Sequence, residues 1–178
     1  MKILIMCEGP NEKAVIDILL ENNCFVFSRE DLLGLVSYHA RQIASSGQVR
    51  AALNIYPEND VVVFRIGDKL NEKLLVPAEY KYKIKEIRKY CTKPELEMLL
   101  IISEGMLKEF SKEKSTIKPK LFAKEHIKCG RKRYDNSTRF YYNYFSADVS
   151  SLVSCIKEYH QLNKAHKKDE LYLASLLK

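Results

Sequence analysis

Residues 1–12, Met1-Lys2-Ile3-Leu4-Ile5-Met6-Cys7-Glu8-Gly9-Pro10-Asn11-Glu12, decide how this chain folds. Ile3, Leu4, Ile5 and Met6 form an apolar run too short for a buried helix, and Gly9-Pro10-Asn11 interrupts it. Ala14, Val15, Ile18 and Leu19 then recur at helical spacing. The stretch therefore predicts a strand that ends at Glu8 and a helix that carries Glu12 in its first turn. Open α/β sheets place their ligands at the carboxyl ends of strands. Two neighbouring carboxylates raise each other's pKa unless a cation lies between them, so the pair points to a divalent metal.

Working outward, Asn59-Asp60 precedes Val61-Val62-Val63-Phe64-Arg65-Ile66, the clearest β run in the protein, and Gly67-Asp68 stops it. Two strands that each end at a carboxylate, with helical patterns between them, predict α/β architecture: a mostly parallel central sheet flanked by helices. Between them, residues 24–27 read as a short strand, and Ser37 reads as the cap of a helix over residues 37–46, closed by Gly47. Residues 49–55 fit a helix or a strand. Residues 80–90 read as a charged amphipathic helix with Ile84 and Ile87 inward. Thr92-Lys93-Pro94-Glu95 reads as a helix start, continued over residues 97–110 with Met98, Leu99, Ile101, Ile102 and Leu107 buried. Residues 139–145 read as partly extended. A helix capped by Asp148 or Ser150 and reaching residue 163, then a last helix over residues 169–177, complete the expectation. No repeat or linker divides the chain. It reads as one domain over residues 1–178, with a core of residues 1–110 and then a basic segment and C-terminal helices over residues 111–178.

At 178 residues a single domain buries about two thirds of its unfolded surface. No apolar run approaches the roughly 20 residues of a membrane span, and the N-terminus reads as a core strand without a cleavage site. The five cysteines are widely spaced with no Cys-x-x-Cys pair, which reads as reduced thiols in a cytoplasmic protein. His39, His126, His160 and His166 are scattered and form no metal-binding pair. No G-x-G-x-x-G, G-x-x-x-x-G-K-[ST] or G-x-S-x-G motif occurs, which disfavours dinucleotide, P-loop and serine-hydrolase chemistry. The charge, in contrast, is localised. Residues 112–142 hold ten Lys or Arg against three acids, a surplus equal to the net +7 of the whole chain. Lys120, Lys124, Lys128, Arg131, Lys132, Arg133 and Arg139 are the candidate nucleic-acid contacts. Phe122, Tyr134, Phe140, Tyr141, Tyr142, Tyr144 and Phe145 are interleaved with them. Basic charge among exposed aromatics suits a phosphate backbone with unstacked bases, DNA or RNA. The alternative is a solvated surface whose aromatics face inward.

Two segments, Ile5-Met6-Cys7-Glu8-Gly9-Pro10-Asn11-Glu12 and Val61-Val62-Val63-Phe64-Arg65-Ile66-Gly67-Asp68, together resemble the TOPRIM domain. Their strand-Glu-Gly start, second acid at Glu-Gly-x-x-Glu spacing and later strand ending in an acidic loop are closest to OLD-type and related phage-defence nucleases. Lys93-Pro94-Glu95-Leu96-Glu97-Met98-Leu99-Leu100 is similar to the Pro-x-x-Glu helix start of those nucleases. The resemblance covers residues 1–107. It implies a TOPRIM-like sheet that binds Mg²⁺ or Mn²⁺ through Glu8, Glu12, Asp68 and Glu97 and hydrolyses phosphodiester bonds, with Glu8, Asp68 and Glu97 as catalytic residues. Lys120, Lys124 or Lys128 would steady the leaving oxygen. It further implies a separately encoded ATPase or a second copy of the chain as partner. The chain departs from the family at the second motif, where Asp-x-Asp is usual and Ile66-Gly67-Asp68 stands. Loss of one anionic ligand weakens metal binding. Arg65, if it faces the site, would weaken it further. Either Glu95 or Glu97 takes the lost ligand's place, or the domain is a catalytically inactive module that binds nucleic acid or a partner.

Overall fold

Strand β1 (Lys2–Cys7) lies inside the sheet, paired in parallel on one side with β2 (Leu32–His39) and on the other with β3 (Val61–Gly67). The computed structural model describes residues 1–68, 72–92, 95–162 and 171–178. Burial on both faces explains why β1 and β3 read as unbroken apolar runs. Ile3, Ile5, Cys7, Val62, Phe64 and Ile66 face the larger core, while Leu4, Met6, Val61 and Val63 face the smaller one. Helix α1 (Pro10–Glu21) packs into the larger core, and α2 (Gly47–Ile55) covers the smaller one from the opposite face. The sheet is completed by β4 (Ile84–Cys91) and β7 (Leu171–Tyr172), giving the all-parallel order β2-β1-β3-β4-β7. From β1 the chain moves outward to β2, then returns past β1 to form β3. The carboxyl ends of β1 and β3 thus flank the topological switch point, where open α/β sheets hold ligands.

After β4 come α3 (Glu97–Ser103), α4 (Leu107–Glu113) and α5 (Pro119–His126). A small antiparallel hairpin follows, β5 (Lys128–Cys129) with β6 (Lys132–Arg133), and then α6 (Thr138–Ser146) and α7 (Val149–Leu162). Helix α6 packs on α1 and α7 on α3, which closes the larger core. Among the described residues, no helix is long and apolar enough to cross a membrane. The five cysteines are free thiols.

Several local expectations are corrected. Residues 24–27 add no strand to the sheet; Phe25 forms an isolated antiparallel bridge to Leu177, flanked by the bonds Val26 N–H to Leu176 O and Lys178 N–H to Cys24 O. Ser37 lies inside β2, where it is buried and donates to Asp17. Gly34 and Leu35 both take positive φ and bulge that strand, which disguises its alternation. The real cap of α2 is Ser46, whose Oγ accepts the Val49 N–H at 3.3 Å, and residues 49–55 are helical.

Residues 84–91 form a strand, not a helix. Among the described residues only the last two of them pair with β7, so there the rest of β4 is an edge, with charges such as Lys85 and Glu86 along it. The helix expected over residues 97–110 breaks at Gly105, whose φ of +69 lets Gly105 and Met106 bond back to Ile102 and Ile101. Residues 139–145 belong to α6, begun by Ser137, whose Oγ accepts the Phe140 N–H. Asp148 does cap α7, its Oδ1 accepting the Ser151 N–H at 3.0 Å. The end of the chain, residues 171–178, is a short strand and a 3₁₀ turn that bury Leu173, Leu176 and Leu177. Lys93, Pro94, Asn163, His166, Asp169 and Glu170 lie outside the described residues.

Candidate active site

Glu8 is the first residue past β1, and its N–H extends the ladder to Ile66 O at 2.8 Å. Its side chain lies against Gly67: a Cβ at that position would stand 2.4 Å from Glu8 Oε2 and 2.7 Å from Glu8 Cβ. Glu12, in the first turn of α1, folds back over Gly9 in the same manner, with its Oε2 2.4 Å from where a Cβ would be. The two glycines leave room for the two carboxylates. Asp68 follows β3 directly. Ile66, the position of the missing acid, is fully buried in the larger core, so the strand's alternation turns it away from solvent.

The acids meet around one cavity of about 420 Å³, lined by Glu12, Asp68, Glu95 and Glu97 together with Lys118 and Lys120. Burial raises the Glu12 carboxyl above its ordinary range, and the charges of Asp68, Glu8 and Glu97 raise it further, against a hydrogen bond from its own N–H. Glu95 is raised by burial first and then by Glu97. The Lys120 backbone N–H and the Lys118 charge oppose this, and Asp68 adds to it. One Glu95 oxygen, Oε2, is buried without a hydrogen-bond partner among the described residues. Five carboxylates therefore share one electrostatic field at the switch point, although Glu8 lies beside the cavity and does not line it. Arg65 is buried under this edge, donates to Glu72 O, and is attracted by Glu8 while burial lowers its pKa.

Glu97 opens α3 and is 7% exposed. Tyr134 holds it: the Tyr134 hydroxyl lies 2.7 Å from Glu97 Oε1 and 2.9 Å from both Asn136 Oδ1 and the Tyr141 hydroxyl. One phenolic proton serves one acceptor, and the charged carboxylate is the strongest of the three. Burial, together with the Glu97 charge, raises the pKa of both phenols. Asn136, at φ +60, accepts from Asn11 Nδ2 through its main-chain and side-chain oxygens, and Asn11 Oδ1 accepts from Thr138. This network ties the start of α1 to the loop before α6. Sequence reasoning missed Lys118, Tyr134, Asn136 and Tyr141 as parts of the site. The only local signal was the turn-forming run Asp135-Asn136-Ser137.

Of the expected phosphate contacts, Lys120 reaches the acidic cavity. Lys124 is exposed on α5, and Lys128, Arg131, Lys132 and Arg133 are exposed on the hairpin. Arg139 is exposed on α6 and lines a separate depression with Lys13, Asp17 and His39. Of the interleaved aromatics, Phe122, Tyr134, Phe140, Tyr141 and Phe145 face inward as core residues, Tyr144 is half-buried and Tyr142 is exposed.

A divalent metal would find a hard all-oxygen donor set here, including the orphaned Glu95 Oε2, and that chemistry suits Mg²⁺ or Mn²⁺. Among the described residues, no three acids, histidines or cysteines are gathered closely enough to hold an ion by themselves. Mg²⁺ asks for less, since it is commonly bound by one or two carboxylates, with water and substrate phosphate completing its shell. No family model, curated protein or solved structure matches this chain.

Proposed function

We propose that this chain is a Mg²⁺- or Mn²⁺-dependent nuclease of TOPRIM-like type that hydrolyses phosphodiester bonds. The observation that carries the reading is the single cavity at the switch point of the sheet, where Glu12, Asp68, Glu95 and Glu97 face Lys118 and Lys120. Glu12, Asp68 and Glu97 would hold the ion, with Glu8 beside them and Glu95 supplying the ligand that Ile66 cannot. A bound ion would offset the charge of the scissile phosphate and lower the pKa of the attacking water. Tyr134 keeps Glu97 in one rotamer, and Lys118 and Lys120 place positive charge where a phosphate oxygen would lie. Action in phage defence beside a separately encoded ATPase belongs to the same reading.

The test has two readouts. Millimolar Mn²⁺ or Mg²⁺ raises the thermal midpoint of the wild type, and Glu8→Ala or Asp68→Asn removes that rise. The same substitutions abolish cleavage of a labelled nucleic acid. A midpoint indifferent to metal, together with no cleavage, would sink the catalytic reading. A second reading, a catalytically inactive nucleic-acid-binding module, is favoured by the burial of Ile66 at the usual acid position. Metal-independent binding without cleavage selects it.

A further inference from the structure

The eighteen aromatic side chains of this protein bear on what kind of nucleic acid it can hold. There are eleven Tyr, seven Phe and no Trp. Only Tyr82 and Tyr142 are exposed. Tyr82 precedes β4, outside residues 112–142, and Tyr142, on α6, lines a depression with Lys13 and Arg139 and donates its hydroxyl to Glu21 on α1. The hairpin and α5 themselves carry no exposed Tyr or Phe on which an unpaired base could stack. Proteins that hold single strands without sequence preference rely on such faces.

The same surface does offer an organised set of cations. In the β5–β6 hairpin, Lys128 stands directly opposite Arg133, with Arg131 next to Gly130 at the turn. Like charges directly opposite on neighbouring strands repel each other. Neither Lys128 nor Arg133 forms an ion pair among the described residues, whereas Lys132 is paired with Asp135 at 2.8 Å. Ile127 and Tyr134, joined at the base of the hairpin by the Tyr134 N–H to Ile127 O bond, are buried and anchor it. Strand β6 packs against α5, whose Lys120 reaches the acidic cavity. A narrow ribbon with Lys128 and Arg133 paired across its base and Arg131 at its turn is complementary to closely spaced phosphates. Duplex DNA presents one charge per about 1.7 Å of axis. A two-stranded ribbon also fits a major groove about 12 Å wide.

We infer that the substrate class is double-stranded nucleic acid, gripped through its phosphates by the β5–β6 hairpin and α5, and not a single strand. This rests on the reading that the acidic cavity acts on nucleic acid. Fluorescence polarisation in EDTA tests it apart from catalysis, using a labelled 20-base-pair DNA duplex, an RNA duplex of the same sequence and the matching DNA and RNA single strands. At least one duplex should bind tenfold or more tightly than its own strand, with affinity falling steeply as salt rises. Lys128→Glu with Arg133→Glu should weaken duplex binding at least tenfold at an unchanged thermal midpoint. Arg50→Glu, exposed on α2 across the sheet, should leave it unchanged. Single strands bound as tightly as both duplexes, no binding at all, or equal losses from the α2 and hairpin variants would each overturn the inference. Duplex binding without Mn²⁺-dependent cleavage leaves it standing and defeats the catalytic reading. Cleavage confined to single strands does the reverse.

Discussion

Gly67→Ala probes the seat of Glu8 most directly. Gly67 ends β3, and its φ is not in the left-handed region, so the substitution adds a methyl group without backbone strain. That methyl would meet Glu8 Oε2 at 2.4 Å and Glu8 Cβ at 2.7 Å. The carboxylate can swing aside, but the Cβ is fixed to a backbone whose N–H bonds Ile66 O, so the strand end itself must shift. Overpacking of this kind costs about 1–3 kcal/mol. In a chain of this length each kcal/mol lowers the thermal midpoint by about 2–4 °C. Differential scanning fluorimetry should therefore show a fall of about 2–12 °C, together with loss of the Mn²⁺-induced rise. Gly9→Ala is the internal comparison, because the three atoms nearest its methyl would all belong to the flexible carboxyl end of Glu12. Its steric cost should be the smaller of the two. A Gly67→Ala midpoint within 1 °C of wild type, by an order-of-magnitude reckoning, would mean that Glu8 is not packed on β3 and would refute the reasoning.

Two further outcomes follow from the buried network and from the charges. Tyr134→Phe removes a hydrogen bond to the Glu97 carboxylate and should cost about 1.5–3 kcal/mol, whereas Tyr141→Phe breaks a bond between neutral groups and should cost about 0.5–1.5 kcal/mol. Chemical denaturation giving the reverse order would show that Tyr134 does not hold Glu97. Glu12→Gln should stabilise the metal-free protein at neutral pH. The folded-state carboxyl is raised above its ordinary value of 4.5, so ionisation disfavours folding once pH exceeds that value and carries its full penalty above the folded pKa. The gain should vanish well below pH 4.5, and a variant less stable than wild type at neutral pH would contradict the sign.

The sequence by itself determined β1, β3 and the carboxylates that follow them. Strands buried on both faces must be apolar throughout, and the residues that stop them, Gly9-Pro10 and Gly67-Asp68, act locally. It also confined the surplus positive charge to residues 112–142. Only the tertiary structure decided β2 and β4, because a bulge at Gly34 and Leu35 hides the alternation of one and an open edge admits charge into the other. It alone turned Phe122, Tyr134, Phe140, Tyr141 and Phe145 inward, since a side chain's direction follows from whatever α1, α3 and α7 pack against it. The meeting of Glu97 with Tyr134 and of Glu12 with Asp68 joins residues dozens of positions apart. The second arises from the crossover that brings β3 beside β1 and the first from the packing of α5 against α3 and of the hairpin against α5, and no local pattern of residues encodes either.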